Sequence, residues 1–343
     1  MRDIVRLSNL RERPWAWGPV SKARKMEGVT DAFMTGIILW LCSLTPQLGW
    51  LIARSVAWSK KDIKEWAAVM KTISVRAKAL QNLSSHDLRP IFEADVLVNR
   101  GIGKVDWELE ENHRANPDTV KVGSRTIKTL VREVLTDDVS LRRQAKFMRW
   151  EDFWDTRWQH TPTGSVHSQY LSDKEYIEKD REVRNKFITL LQMDRPLEEW
   201  LRRKPAIHAW TSVKYEWGKM RAIYGTDLTS FVITNFALNN VEETLPHYFP
   251  VGSKANPEYV RVSVENTLTY RLPYCFDFED FNSQHSTRHM QIVLETFKEV
   301  RGNRLSEEQR LALDWVIESF SRVTVHDNMG NRQYQARGTL LSG

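Results

Sequence analysis

The stretch FDFEDFNSQHS, Phe276 to Ser286, decides how this chain reads. Apolar residues alternating with acids give way to a polar turn, and Ser286 then opens a run with Met290, Val293, Leu294, Phe297 and Val300 at helical spacing. This pattern predicts a buried strand over Leu272 to Phe278 that feeds an N-capped helix. Asp277 falls at the strand end and Asp280 in the turn behind it. Carboxylates held there suit Mg2+ (or Mn2+), which takes hard oxygen ligands shared with substrate phosphates. The same two acids would also serve as plain helix caps, since negative charge is favoured at a helix N-terminus. Spacing alone leaves both readings open.

Working outward, Val260, Val262 and Val264 alternate with polar neighbours, which predicts a strand over Val260 to Leu268. On the other side, a capping box from Ser306 to Gln309 opens a second helix expected to bury Leu311, Trp315, Val316 and Phe320. RVTVHDNMGNRQYQ, from Arg322, then predicts a β-hairpin turning at Asn328 to Asn331. Upstream, KYEWGKMRAIYGTD sets Lys214, Lys219 and Arg221 around Gly218. Three cations beside a flexible glycine can grip a triphosphate through charge-assisted hydrogen bonds, or can line a solvated basic strand. The Gly-rich pattern ending in Lys-Ser/Thr is absent, which disfavours a P-loop ATPase. WQHTPTGSVHSQY, Trp158 to Tyr170, predicts a loop by its Pro162 and Gly164, and a charged helix is expected from Asp173 to Leu191.

The first ~100 residues predict helices, Lys60 to Leu80 among them. Gly101 to Gly123 is expected to be a surface excursion, and Arg125 to Asp155 helical again. With 343 residues and a net charge of +6, the chain is long enough for several domains and mildly favours polyanions. Basic clusters stand at Arg11 to Lys25, at Arg142 to Arg149, and at Arg202, Arg203 and Lys204, as phosphate contacts or as solvated helix faces. Most of the 14 Trp are expected to anchor cores, because an indole buries so much apolar area. Two cysteines, Cys42 and Cys275, exclude a disulfide framework. Phe33 to Leu44 is the most apolar run and falls well short of the ~20 residues that span a bilayer, so it is expected to be a buried helix. His285 and His289 share a helix face at zinc-binding spacing but lack the companion glutamate, and His285 is expected to orient the turn by hydrogen bonding.

KYEWGKMRAIYG, FDFEDFNSQHS and the terminal GTLLSG, in that order, resemble motifs F, A and the opening of B in totivirus-like RNA-directed RNA polymerases of double-stranded RNA viruses. TPTGSVHS resembles the template-contacting motif G. The resemblance covers roughly Trp158 to Gly343. It implies an α+β fold: a helical N-terminal extension over 1–155, fingers with motifs G and F over 156–259, and a partial palm with motif A and the start of motif B over 260–343. A thumb is not expected. It further implies that Asp277 holds catalytic Mg2+, that Lys214, Lys219 and Arg221 neutralise the incoming triphosphate, that Ser342 and Gly343 begin the loop sensing template and ribose, and that Gly164 and Ser165 lie on the template path. By the same resemblance, Asn282 occupies the position of a ribose-selecting aspartate, as an asparagine does in the totivirus-like group, and whether Asn282 or Asp280 takes that role is left open. The Gly-Asp-Asp turn of motif C occurs nowhere here, so the expectation is a piece inactive alone, from a polymerase of the virion interior or host cytoplasm. Its expected partners are an RNA template, nucleoside triphosphates and a coat protein, with no membrane. The alternative is a non-catalytic RNA-binding or packaging module that keeps polymerase-like fingers.

Overall fold

The computed structural model describes residues 10–98, 105–137, 147–216, 219–246, 248–252, 255–272, 274, 276, 278 and 281–341. They form two compact units: residues 1–106 with 213–222, and residues 107–212 with 223–343.

The first unit is helical: α1 (Pro14–Ala23), α2 (Asp31–Ser43), α3 (Pro46–Ala53), α4 (Ile63–Leu80) and α5 (Arg89–Val98). Local chemistry sets their limits. The Thr30 hydroxyl accepts from Phe33 N at 3.1 Å to start α2, and Asp62 accepts from Lys64 N and Glu65 N at 2.8 Å to start α4. Phe33, Ile37, Trp40 and Leu41 bury one face of α2 as the apolar run predicts. Trp15, Trp40, Trp58 and Trp66 fill the core, and the first three donate their indole N–H to the carbonyls of Leu41, Pro90 and Ile52. Among the described residues no helix is long and apolar enough to cross a membrane.

The second unit is mixed: α6 (Trp107–Ala115), α7 (Ser124–Thr136), α8 (Trp150–Asp155), α9 (Lys186–Gln192), α10 (Leu197–Leu201), β1 (Ile207–Glu216), β2 (Lys219–Thr226), α11 (Leu228–Ala237), α12 (Pro257–Tyr270), α13 (Thr287–Arg301), α14 (Glu307–Ser319), β3 (Val323–Asp327) and β4 (Arg332–Ala336), the hairpin tip over 213–222 grouping with the first unit. The sheet order is β2-β1-β3-β4. Strands β1 and β3 run parallel, Ile207 opposite Val323 through Trp210 opposite His326, while β3 and β4 form the expected antiparallel hairpin. Trp150, Phe153, Trp154, Trp200, Phe236, Phe297 and Trp315 build one core around α11. The Ser306–Gln309 capping box is complete, and Gln309 also takes Met148 N at 3.1 Å, so one helix end ties down a distant segment.

Five expectations need correction. Val260 to Leu268 is helix, not strand: Asn256 accepts from Tyr259 N at 2.8 Å, Pro257 fits the first turn, and Arg261 pairs with Glu258 and Glu265, each at 2.7 Å. In Leu272 to Phe278 the described residues carry no strand, and Leu272 and Tyr274 are 97% and 90% exposed. The charged helix Asp173 to Leu191 breaks into one turn, Leu171–Lys174, and α9, because Asp173 is drawn into a buried ion cluster and Asn185 caps a new start. Finally, Leu311 faces solvent while Ala312 and Leu313 join Trp315 and Val316 in the core. Gly101 to Gly123, expected to be a surface excursion, contains α6 with a buried Arg114.

Candidate functional site

Two constellations of expected site residues form within the second unit. The first is the loop that carries Gly164 and Ser165, both exposed. Its backbone is anchored on both sides: Lys186 N donates to the Gly164 carbonyl at 3.0 Å, and Leu228 N to the His167 carbonyl at 2.8 Å. Beneath it, Ser168 Oγ donates to Asp173 at 2.6 Å, and Asp173 also receives Arg195 at 2.6 Å and a two-armed grip from Arg203 at 2.6 and 2.9 Å. Burial pushes the Asp173 carboxyl up, but hydrogen bonds from Arg203, Ser168 and Arg195 outweigh it and hold the group below the usual carboxylate range. Arg203, grouped by sequence with possible phosphate contacts, is therefore a structural cation whose side chain is 9% exposed and whose guanidinium lies 4.2 Å from the Tyr170 ring centre.

Four flat rings continue the anchor. His167 of the loop stacks on Trp210 of β1 at 5.1 Å, Trp210 on His326 of β3 at 4.5 Å, and His326 on His208 at 5.2 Å. His208 Nδ1 and His326 Nε2 are 2.9 Å apart, so one ring donates and the other accepts. Burial lowers all three imidazoles: His167 to about 4, helped by the Arg184 and Lys186 charges; His208 against an opposing pull from Asp227; His326 with His208 adding and Asp227 opposing. At least one of the two rings must be neutral to accept this hydrogen bond. A Cβ placed at Gly225 would lie 3.2 Å from the His167 ring and 3.3 Å from the Ser165 hydroxyl, so the missing side chain lets the loop close against the end of β2.

The second constellation joins the segment after FDFEDF to the opening of GTLLSG. Leu340 N donates to the Asn282 carbonyl at 2.9 Å, Thr339 N to the His285 carbonyl at 2.7 Å, and Thr287 N to the Arg337 carbonyl at 3.0 Å, with Ser286 bridging Gly338. A Cβ on Gly338 would meet Pro117 Cγ at 2.6 Å and the His285 oxygen at 2.7 Å, which explains glycine there. Thr339 holds a left-handed φ of 71° and donates its hydroxyl to the His113 carbonyl at 2.9 Å. It is the carbonyl of His285, not the ring, that orders this turn; Nε2 of the ring is buried with no hydrogen-bond partner among the described residues. Behind the pairing lies an apolar cavity of about 880 Å³ lined by Phe231, Phe281, Met290, Val293 and Leu340 among others.

Asp277, Asp280, Ser342, Gly343 and Gly218 lie outside the described residues. Lys219 opens β2, and Lys214 and Arg221 are exposed on β1 and β2, in the part of the hairpin that groups with the first unit. Among the described residues no cluster of three His, Cys, Asp or Glu is arranged to hold a metal. Reading the sequence misses Asp173, Arg195, His208, Trp210 and His326 as site-shaping residues. Nothing in a linear pattern pairs Asp173 with residues 22 and 30 positions away.

Comparison with known proteins agrees with the family resemblance. A model of viral RNA-directed RNA polymerases matches residues 4–343. The chain is 42% identical over 277 residues to the "Probable RNA-directed RNA polymerase" of Saccharomyces cerevisiae virus L-A, covering 80% of this chain and 18% of that protein. With the equivalent protein of Saccharomyces cerevisiae virus L-BC it shares 36% over 282 residues, 82% of this chain and 18% of the relative. A protein of the same name from Leishmania RNA virus 1 - 1 is 26% identical over 219 residues, 61% of this chain and 24% of the relative. The chain thus spans about a fifth of the length of the curated relatives it matches. With its motif order, its paired 282–287 and 337–341 segments and its family match in agreement, the chain belongs to the viral RNA-directed RNA polymerases.

Proposed function

We propose that this chain supplies the template loop, the triphosphate grip and the first metal-binding carboxylate of an enzyme that copies viral RNA by nucleotidyl transfer. The pairing of Leu340 N with the Asn282 carbonyl carries the proposal, because it joins the candidate ribose-reading residue of motif A to the segment that precedes Ser342 and Gly343 in the sequence. Gly164 and Ser165 would guide the template on a loop held rigid from beneath, as a positioning element should be. Lys214, Lys219 and Arg221 would neutralise the triphosphate. Asn282 or Asp280 would bind the ribose hydroxyls by hydrogen bonding.

Asp277 offers hard carboxylate oxygens of the kind Mg2+ or Mn2+ takes, and would hold the ion. Such an ion, when bound, supplies charge neutralisation at the phosphates and a more acidic 3′-hydroxyl. In this reading residues 156–259 are fingers and 260–343 part of a palm, working inside a virus particle or in host cytoplasm beside a coat protein. The test is nucleotide incorporation on single-stranded RNA with Mg2+, by a protein of the relatives' full length carrying this sequence. Asp277→Ala should lower incorporation by roughly a thousandfold or more, since a metal ligand contributes several kcal/mol to the transition state. Equal activity of variant and wild type would remove the assignment.

A further inference from the structure

Lys186 is 9% exposed, the first residue of α9, and carries a positive charge with no carboxylate within ion-pair distance among the described residues. Burial alone acts on its ammonium, lowering its pKa. Its one close electrostatic companion is the Phe231 ring, 4.5 Å from Nζ. An isolated buried cation is costly, and a helix N-terminus repels it further. Arg195 and Arg203, equally buried a short distance along the chain, both have Asp173. Asp173 supplies the anion for those two, whereas the ion pairs among the described residues give Lys186 none.

Its surroundings say which. Lys186 N is bonded to the Gly164 carbonyl, the Lys186 and Arg184 charges both act on His167, and Arg184 is exposed at the same edge. The Lys186 ammonium is not sealed away like the unpaired indole nitrogens of Trp154 and Trp200. We infer that Lys186, with Arg184 and the Ser165 hydroxyl, forms a binding site for a backbone phosphodiester of single-stranded nucleic acid running over the 164–168 loop. This rests on the template-loop reading above and deepens it: exposed loop residues guide the strand, and the buried lysine fixes its register by gripping one phosphate. A free triphosphate shares the phosphate chemistry but has no reason to follow the loop.

Lys186→Met keeps the volume and removes the charge. For the 343-residue chain, it should weaken binding of oligo(U) RNA about tenfold at low salt, the worth of one charge-assisted contact. It should also reduce the slope of log affinity against log salt by about 0.7, one phosphate contact on a single strand. Thermal stability should hold or rise, because an apolar isostere replaces an uncompensated charge. Lys186→Arg, which keeps the charge, should retain the wild-type slope, and inorganic triphosphate should bind wild type and Lys186→Met alike. Unchanged RNA affinity and slope in Lys186→Met, beside a wild type that binds, overturn the lysine's assignment alone. So does a triphosphate affinity that vanishes with the ammonium while RNA binding stays. A wild-type chain with no salt-dependent RNA binding overturns this site and the template-loop reading together.

Discussion

The loop at 164–170 and the stretch at 257–281 are both motif-bearing parts of the second unit, yet they are held in opposite ways. The loop rests on Asp173, the two arginines that grip it and four stacked rings, which tie it down from beneath. The stretch shows Val260, Val262, Val264, Leu268, Leu272, Tyr274, Phe276, Phe278 and Phe281 to solvent. One motif has its support built in within this chain, and the other lies beside apolar side chains that the described residues leave exposed.

The largest expected effect lies under the loop. Asp173→Ala leaves Arg195 and Arg203 buried without their anion and should cost about 3–5 kcal/mol of unfolding free energy, read by denaturant titration. A loss under 1 kcal/mol would mean the ion cluster is not what holds the loop. Next comes acid. His167 has its folded pKa lowered to about 4 against an ordinary value of 6.5, so the unfolded chain binds the proton first. Stability from this group is complete above about pH 6.5 and is lost on acidification to about pH 4, by at most about 1.4 kcal/mol per pH unit. His208 and His326, shifted in the same direction, add to the loss. His167→Phe keeps a stacking ring without the titration, and melting temperatures followed from pH 7 to pH 4 should fall less steeply than in wild type; parallel curves would exclude His167. The smallest effect belongs to the exposed stretch. Val264→Lys should change stability by no more than about 0.5 kcal/mol, as surface substitutions do. A cost above 1.5 kcal/mol would show that this face is already packed in solution and would erase the contrast.

The same contrast marks what sequence could and could not supply. Helices α2 and α4 were legible from their apolar run and periodicity, and α13 and α14 from the caps at Ser286 and Ser306 as well, all local signals that the structure keeps. The 323–336 hairpin was legible from its turn residues. The 260–268 region misled because its valines alternate, while the stronger signal, an Asn-Pro helix start followed by Arg261 between two glutamates, sits in residues the alternation does not use. Asp173 was hidden in a charged run that looks solvated, and only tertiary structure brings Arg195 and Arg203 to it. Of the candidate site, the order of motifs was visible, but the Asn282–Leu340 pairing joins residues far apart in the chain and has no linear trace.

The bond from the Thr339 hydroxyl to the His113 carbonyl spans 226 positions. Helix α6, which also supplies the Arg114 carbonyl to Arg337 N and Glu110 to the Tyr224 hydroxyl, is therefore synthesised long before its last partners exist. At ribosomal speeds of roughly 5–20 residues per second it waits on the order of ten seconds or more. Throughout that interval the five N-terminal helices, whose hydrophobic cluster lies entirely within residues 10–94, can already collapse around their tryptophans. The helical cluster can thus form before the 337–341 segment closes against α6, a contact between residues far apart in the chain and therefore slow to form.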